Sequence, residues 1–244
     1  MKLKILGSSS SGNSYILTDN NGVSLGIECG VNFNEIKKAL DFDLSRFAII
    51  QSHSHGDHSK STKDALKNGV NVFSSNECFK ELGIKSHRAR EVQAGKRFFP
   101  FGVDSYHIIP FDLVHDVRCY GFLINHPEMG TTVFITDTMY VPNTFKGLNN
   151  VIIEANYSKE ILDNKLSGMK FLQDRIKKSH LSLENAIKAL QANDLTEVNN
   201  IVLIHLSDSN SCSKTFKSEV YKATGKNVIV ADAGMEIEFN KTPF

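Results

Sequence analysis

Short apolar runs separated by polar, glycine-containing turns extend along the whole chain, and most of them have the length of a β-strand. The runs at 47–50, 151–154 and 201–204 are almost entirely apolar, which is typical of strands that are covered on both faces. The other predicted strands are short segments at 3–6, 14–18, 23–27, 70–73, 97–101, 103–109, 119–125, 132–136, 228–231 and 235–239.

Helical segments lie between these strands in both halves of the chain. They are predicted at 34–40, 61–67, 75–82, 159–163, 169–177, 183–192 and 213–223. Because strand-rich blocks with interspersed helices occur in both halves, the pattern predicts an α/β (α+β) protein in which two sheets pack face to face with helices outside. The chain has no Pro-rich or Gly/Ser-rich linker, so we expect a single domain over residues 1–244.

The composition is that of an ordinary soluble protein, with 41% hydrophobic and 23% charged residues. The net charge of +1 offers no general attraction to nucleic acid or to an anionic membrane. We expect neither a signal peptide nor a membrane span, because the first apolar run ends in serines and no run approaches the ~20 residues that a span needs. The four scattered cysteines are predicted to be free thiols in a reducing cytoplasm: Cys29, Cys78, Cys119 and Cys212.

The most informative segment covers residues 51–58, which read QSHSHGDH and directly follow the predicted strand at 47–50. It supplies three imidazoles and a carboxylate, which are the ligands that first-row divalent metals prefer. His53 and His55 alternate and are expected to point the same way. We expect Gly56 to let the backbone turn, so that Asp57 and His58 face a second metal position.

Three further ligand-type residues follow predicted strands or lie between them, namely His115, Asp137 and His205. Any one of them alone is explained equally well as a hydrogen-bonded loop residue. Together with the motif they predict two metals, one held by His53, His55 and His115, the other by Asp57, His58 and His205, with Asp137 as the bridge. The absence of thiolate suits zinc or manganese, and iron equally.

A phosphate-binding group is expected beside this metal pair. His180 precedes the predicted helix start at Ser182, where free backbone N–H groups attract phosphate. Ser209 and Asn210 lie in a second turn before a helix and are candidate substrate-binding residues, although ordinary helix caps have the same pattern. The serine-rich segment 8–14 lacks a phosphate-loop pattern and is predicted to be a tight turn near the rim of the site. The remaining histidines are interpreted as surface or structural residues: His87, His107 and His126.

The ordered ligand set resembles that of the metallo-β-lactamase-fold hydrolases. The opening Gly7-Ser-Ser-Ser-Ser-Gly-Asn, together with Glu154-Ala-Asn, His180-Leu-Ser and His205-Leu-Ser, is similar to a branch near ribonuclease Z. That branch includes bacterial DNA exonucleases and the phage anti-Pycsar enzymes that destroy cyclic nucleotides. The resemblance implies an αββα sandwich of two mixed sheets, a phosphate-contact or general-acid role for His180, and a homodimer. Glu28 stands where the family usually has an aspartate that supports the metal loop.

We therefore expect a dinuclear metal phosphodiesterase that hydrolyses cyclic mononucleotides such as cCMP, cUMP, cAMP and cGMP to nucleoside monophosphates. Its expected role is phage evasion of cyclic-nucleotide defence signalling in the host cytoplasm, with Asp57 orienting the nucleophile. The alternative is a DNA exonuclease, for which a local basic cluster is available: Lys85, Arg88, Arg90, Lys96 and Arg97. A third hypothesis is a nucleotide-binding or metal-binding module without turnover. Segment 138–179 lacks a Gly/Pro-rich arm, which argues against tRNA processing.

Overall fold

Two β-sheets lie face to face in a computed structural model that describes residues 1–243. Within those residues the first sheet contains seven strands, which are β1 (Lys2–Ser9), β2 (Gly12–Thr18), β3 (Ser24–Ile27), β4 (Phe47–Ile50), β5 (Asn71–Ser74), β6 (Ala89–Glu91) and β13 (Glu236–Glu238). The second contains six, which are β7 (His107–Leu113), β8 (Cys119–His126), β9 (Gly130–Ile135), β10 (Leu148–Glu154), β11 (Asn200–Ile204) and β12 (Asn227–Val230).

Both sheets combine antiparallel and parallel pairs. The first has the order β13-β1-β2-β3-β4-β5-β6, and its strands run parallel from β3 to β6. The second has the order β12-β11-β10-β9-β8-β7, and its strands run parallel from β9 to β12. The carboxyl ends of parallel strands lie at the same edge of a sheet, and α/β proteins bind their ligands at that edge.

Helices flank the two sheets, and several of them cover the outer faces. They are α1 (Phe33–Ala39), α2 (Gly56–Ser59), α3 (Thr62–Lys67), α4 (Asn76–Glu81), α5 (Lys159–Lys165), α6 (Lys170–Ser179), α7 (Leu183–Gln191) and α8 (Ser213–Thr224). None of the helices in residues 1–243 is both long enough and apolar enough to cross a membrane.

Alternating side chains of single strands enter different core layers. Ile50 of β4 lies between the sheets, whereas the preceding Ile49 packs outward with residues of α1 and α3. In β10, Ile152 points to the central layer and Ile153 points outward towards the side chains of α7 and α8. Because both faces are buried, these strands need apolar residues at every position. The predicted αββα sandwich is confirmed.

Two neighbouring strand predictions were wrong. The predicted strand at 97–101 is not a strand, since Phe98 forms only an isolated bridge with Ile108. The strand predicted at 103–109 instead starts at His107 and runs to Leu113 as β7. Pro100 has no N–H to donate to a ladder, and Gly102 takes a positive φ of 98° that ends any extended run. Phe98 and Phe101 therefore pack against the central core from a loop rather than from a strand of the sheet.

Candidate metal centre

The ends of four strands deliver the predicted ligands to one place. β4 leads into segment 51–58, and His205 directly follows β11. Asp137 comes two residues after β9, and His115 comes two residues after β7. The structure brings the side chains of all seven predicted ligands together at the adjoining edges of the two sheets.

Three residues at strand exits have an unusual backbone conformation. Glu28, Asp137 and His205 have φ values of 68°, 34° and 54°, in the left-handed region that residues other than glycine rarely adopt. Each such conformation costs about 1–3 kcal/mol and persists only where the surrounding structure holds it. The strain is concentrated where strands must turn sharply to direct a side chain into the site.

The first group of donor atoms comes from His53, His55, His115 and Asp137. His115 Nε2 lies 3.2 Å from His55 Nδ1 and 3.9 Å from Asp137 Oδ2. His53 Nε2 lies 3.5 Å from the same carboxylate oxygen. Donors at the corners of a tetrahedral zinc site are about 3.3 Å apart when the bonds are 2.0–2.1 Å long. The spacing of this group therefore suits one metal ion.

The second group comes from Asp57, His58 and His205. Asp57 Oδ2 lies 3.3 Å from His58 Nε2 and 3.2 Å from His205 Nε2. Asp137 Oδ2, which belongs to the first group, is only 3.4 Å from His58 Nε2. One carboxylate oxygen thus lies between a histidine of each group, as a bridging ligand would.

Two buried imidazole nitrogens test whether these residues fit a metal pair. His53 Nδ1 lies 2.8 Å from Ser52 Oγ, but His53 Nε2 has no hydrogen-bond partner in the described chain. His205 Nε2 is likewise buried without a hydrogen-bond partner, within residues 1–243. Buried polar atoms are almost always paired. Both nitrogens face the cluster centre, so divalent cations would satisfy them.

The pKa values of the cluster's histidines shift in different directions in the two groups. Burial lowers the pKa of His53 and of His115, which keeps both rings neutral and available as ligands. Burial opposes protonation of His58 and His205 as well, but the charge of Asp137, together with hydrogen bonds to Asp137 and Asp57, raises the pKa of both. At the second group, a metal ion would therefore replace a proton as the cation beside Asp137.

An open pocket of about 440 Å³ lies directly over the cluster. It is lined by Ser10, His55, Gly56, Asp57, His115, Asp116, Asp137, Leu172, Arg175, Ile176, Ser179 and His180. A larger cleft of about 880 Å³ lies on the other side of the turn formed by residues 9–11, and none of the ligand side chains lines it. We therefore place the chemistry in the smaller pocket.

No protein-family model and no curated protein sequence matches this chain. Solved structures do match it. The metallo-β-lactamase fold protein YhfI from Bacillus subtilis superposes on it with a TM-score of 0.72 and 15% sequence identity, over 97% of this chain and 98% of YhfI. This chain has the metallo-β-lactamase fold.

Two further solved structures match nearly the whole chain, and they come from different kinds of protein. Zinc-bound PqqB from Methylobacterium extorquens matches with a TM-score of 0.71 and 11% identity, over 98% of this chain and all (100%) of PqqB. The short form of human tRNase Z matches with a TM-score of 0.63 and 14% identity, over 98% of this chain and 99% of its own. At such identities the likeness establishes the fold, and the predicted nearness to anti-Pycsar enzymes stays a prediction.

The sequence analysis missed a buried carboxylate that supports this metallo-β-lactamase-fold site. Glu154, at the end of β10, accepts a backbone hydrogen bond from Leu181 and lies 2.8 Å from His180 Nδ1 and 3.2 Å from His205 Nδ1. It therefore holds the ring of His180 at the pocket wall. Burial disfavours the imidazolium form of His180, but the charge of Glu154 and its hydrogen bond raise the pKa above the ordinary histidine value. In the sequence, Glu154 could have been recognised as a site residue because, like Asp137, it lies at the end of an apolar strand.

Two other supports come from earlier in the chain. Glu28 is buried and accepts from the backbone N–H of Ser52, at 3.3 Å to each oxygen, beside His58 Nδ1 at 3.5 Å. Asn13 Nδ2 donates to Asp57 Oδ2 at 3.3 Å. The serine-rich opening segment thus contributes a side chain that orients a metal ligand, and it turns only at residues 10–11 because β1 and β2 extend around it.

The turn that was predicted to bind substrate does not line the metal pocket. Among the described residues, those that line the metal pocket do not include Ser209 or Asn210. Asn210 Nδ2 donates to Ser207 Oγ at 3.3 Å, and the Ser209 carbonyl accepts from Lys165 at 2.7 Å. Asn210 is thus engaged within its own turn and Ser209 with helix α5, and their role in anion binding stays a prediction.

The expected role of Gly56 is wrong. This residue begins helix α2, has no positive φ, and a Cβ there would meet nothing within 4 Å. The first turn of that helix directs Asp57 and His58 into the site. The glycine that the site requires is Gly30, where a Cβ would lie 1.7 Å from the carbonyl oxygen of Asp57.

Metal loading is expected to stabilise the folded chain. A ligand at 100 times its dissociation constant adds about 2.7 kcal/mol to the free energy of unfolding. For a chain of this size that corresponds to a rise in Tm of roughly 5–10 °C. Differential scanning calorimetry of chelator-treated protein, before and after adding zinc or manganese, measures the change. Elemental analysis should find two metals per chain, and an unchanged Tm with less than one metal would contradict the assignment.

Proposed function

We propose that this chain is a dinuclear metal-dependent phosphodiesterase that hydrolyses cyclic mononucleotides to nucleoside monophosphates. The observation that carries the proposal is Asp137, whose Oδ2 lies 3.5 Å from His53 Nε2 and 3.4 Å from His58 Nε2 at the floor of an open pocket. Metal pairs bridged in this way are used to hydrolyse phosphate esters. The presence of a tRNase among proteins of this fold supports phosphodiester chemistry.

The size of the pocket supports a small substrate. Its volume of about 440 Å³ lies within the roughly 300–1,000 Å³ of small-molecule sites. Helix α6 closes one side and Ser10 of the serine-rich turn lines it as well. A mononucleotide therefore suits this space better than a duplex.

When bound, divalent cations would supply an activated water at neutral pH and positive charge for the phosphoryl oxygens. Asp57 lines the pocket and is held by Asn13, so its carboxylate is positioned to accept the proton of the attacking water. Water adds to phosphorus, and the ring P–O bond breaks.

His180 is positioned to protonate the oxygen that leaves. Its Nδ1–H donates to Glu154 at 2.8 Å, which leaves Nε2 as the nitrogen that can face the substrate. The proton passes from Nε2 to the leaving alkoxide, and the ring-opened product is a nucleoside monophosphate. Glu154 acts through His180 by fixing its tautomer and orientation.

The basic cluster needed by the exonuclease hypothesis does not line the pocket, and part of it lies at the opposite end of the sheet. Lys85 and Arg88 precede β6, which runs parallel to β4 and β5, so they lie at the amino ends of these strands. The metal motif follows the carboxyl end of β4. Among the described residues that line the pocket, none belongs to the basic cluster. This placement favours the cyclic-nucleotide hypothesis.

The deciding experiment incubates zinc- or manganese-loaded protein with cCMP, cUMP, cAMP and cGMP, and separately with end-labelled DNA. We expect hydrolysis of at least one cyclic nucleotide. His180→Ala should lower kcat by roughly 100-fold or more, as removal of a general acid does, and Asp57→Ala should lower it further. His87→Ala, at an exposed position outside the pocket, is the matched control.

Two outcomes would reject the proposal. Degradation of DNA without hydrolysis of any cyclic nucleotide would make the exonuclease the correct function. Tight binding of a cyclic nucleotide by metal-loaded protein without turnover would instead indicate a binding module.

A further inference from the structure

One face of helix α6 forms a wall of the metal pocket. Its four pocket-lining residues are Leu172, Arg175, Ile176 and Ser179. They are spaced three, four and seven positions apart, which is the spacing of side chains on a single helical face. Two of them are apolar, one is cationic, and His180 follows directly.

The packing of the protein does not account for this apolar face. Helix α6 contributes no buried residue, and among residues 1–243 none of its apolar side chains belongs to the three core clusters. Leu172 and Ile176 line the pocket instead of supporting a sheet. An apolar surface at this position is available to the organic part of a bound molecule.

Arg175 is the one lysine or arginine among the described residues that line the pocket. Within residues 1–243 it forms no ion pair, whereas Lys177 on the same helix pairs with Asp163 at 2.7 Å. The pocket otherwise presents the carboxylates of Asp57, Asp116 and Asp137. In the metal-loaded site the cations would offset the charge of these carboxylates, and the guanidinium of Arg175 is the cationic side chain left to donate hydrogen bonds to an anionic substrate.

We propose that Arg175 binds the non-bridging oxygens of the substrate phosphodiester while Leu172 and Ile176 pack against its nucleoside. This proposal rests on the proposed function and names the residues that select its substrate. The planar guanidinium can donate two parallel hydrogen bonds to one phosphate group, which a lysine ammonium cannot match. The helix thereby adds a fixed recognition surface to the site.

The kinetic test compares variants on the exposed surface of one helix. Arg175→Ala should lower kcat/KM for cyclic nucleotides by roughly 10- to 100-fold, the effect of losing a hydrogen bond to a charged group. Arg175→Lys should recover only part of that loss. Lys178→Ala is the matched control, because Lys178 is exposed on α6 but does not line the pocket. The double variant Leu172→Ala/Ile176→Ala should raise KM for cyclic nucleotides.

A binding measurement separates this proposal from the proposed function. Inorganic phosphate is titrated calorimetrically into metal-loaded protein, with two metals per chain verified in each variant. Arg175→Ala should weaken phosphate binding at least about 10-fold, while the double apolar variant and Lys178→Ala should leave it unchanged. Equal phosphate affinity in Arg175→Ala and wild type would overturn the role of Arg175. Phosphate binding that depends on Arg175, in a protein that hydrolyses no cyclic nucleotide, would support this role and reject the proposed function.

Discussion

Replacing Asp137 with alanine is expected to lower kcat/KM by roughly 1,000-fold or more, which corresponds to about 4 kcal/mol of transition-state stabilisation. The variant should also bind fewer than two metals per chain. Asp137 Oδ2 lies within 3.5 Å of donors in both groups, and Asp137 Oδ1 lies 2.8 Å from His205 Nδ1. Removing this carboxylate would take away the proposed shared ligand and leave a buried imidazole without its charged partner.

A second variant separates the loss of the carboxylate from a general loss of folding. Residue 137 has a φ of 34°, a conformation that asparagine tolerates better than alanine. Asp137→Asn should therefore fold normally, retain a similar circular dichroism spectrum, and still lose most activity and metal. Asp112→Ala is the control, because it removes an exposed carboxylate whose ion pair, within residues 1–243, is with Arg118 alone. Full metal content in Asp137→Asn, with normal activity, would mean that no bridge exists.

Replacing Gly30 with alanine is expected to disrupt the site from outside it. The added Cβ would lie 1.7 Å from the carbonyl oxygen of Asp57 and 2.6 Å from the backbone nitrogen of Asn13, and backbone atoms cannot rotate away. The first turn of α2, which holds Asp57, must move, and a displacement of about 1 Å at a catalytic group can cost 100-fold in rate. The overpacking itself should lower the free energy of unfolding by about 1–3 kcal/mol.

The comparison variant is Gly56→Ala, where the new methyl group would have open space. Because alanine is favoured over glycine in a helix by about 0.5–1 kcal/mol, this variant should keep its metal content and its Tm should stay equal or rise. Elemental analysis measures the metal content of both variants, and thermal melts measure their Tm. If Gly30→Ala kept two metals and the wild-type Tm, the close approach of Gly30 to the backbone of Asp57 and Asn13 would not be required.

Much of the fold could be predicted because the sheets are buried on both faces. The segments at 47–50 and 201–204 are apolar at every position, and each became a strand with nearly the predicted bounds. Segment 97–101 has the apolar pattern of a strand but forms a loop, in which Phe98 and Phe101 are partly buried against the core. The edge strand β6 is short and mostly exposed, so it has no apolar pattern to detect.

The ligand set could be predicted for a similar reason, whereas the hydrogen-bond partners of its supporting residues could not. His205 and Asp137 are polar residues placed directly after apolar strands, and His53, His55, Asp57 and His58 are adjacent in sequence. Glu154 and Asn13 act through hydrogen bonds to residues far along the chain, such as Glu154 to His180 and Asn13 to Asp57. No local pattern specifies such partners.

The sequence by itself determined the layered architecture and the residues able to bind metal, because hydrophobic alternation and ligand chemistry are local properties of a chain. Only the tertiary structure decided that Asp137 lies between both donor groups, that Gly30 must lack a side chain, and that α6 turns Arg175 towards the pocket. These features depend on distances between segments that are far apart in sequence, and such distances are set by how the sheets and loops pack against each other.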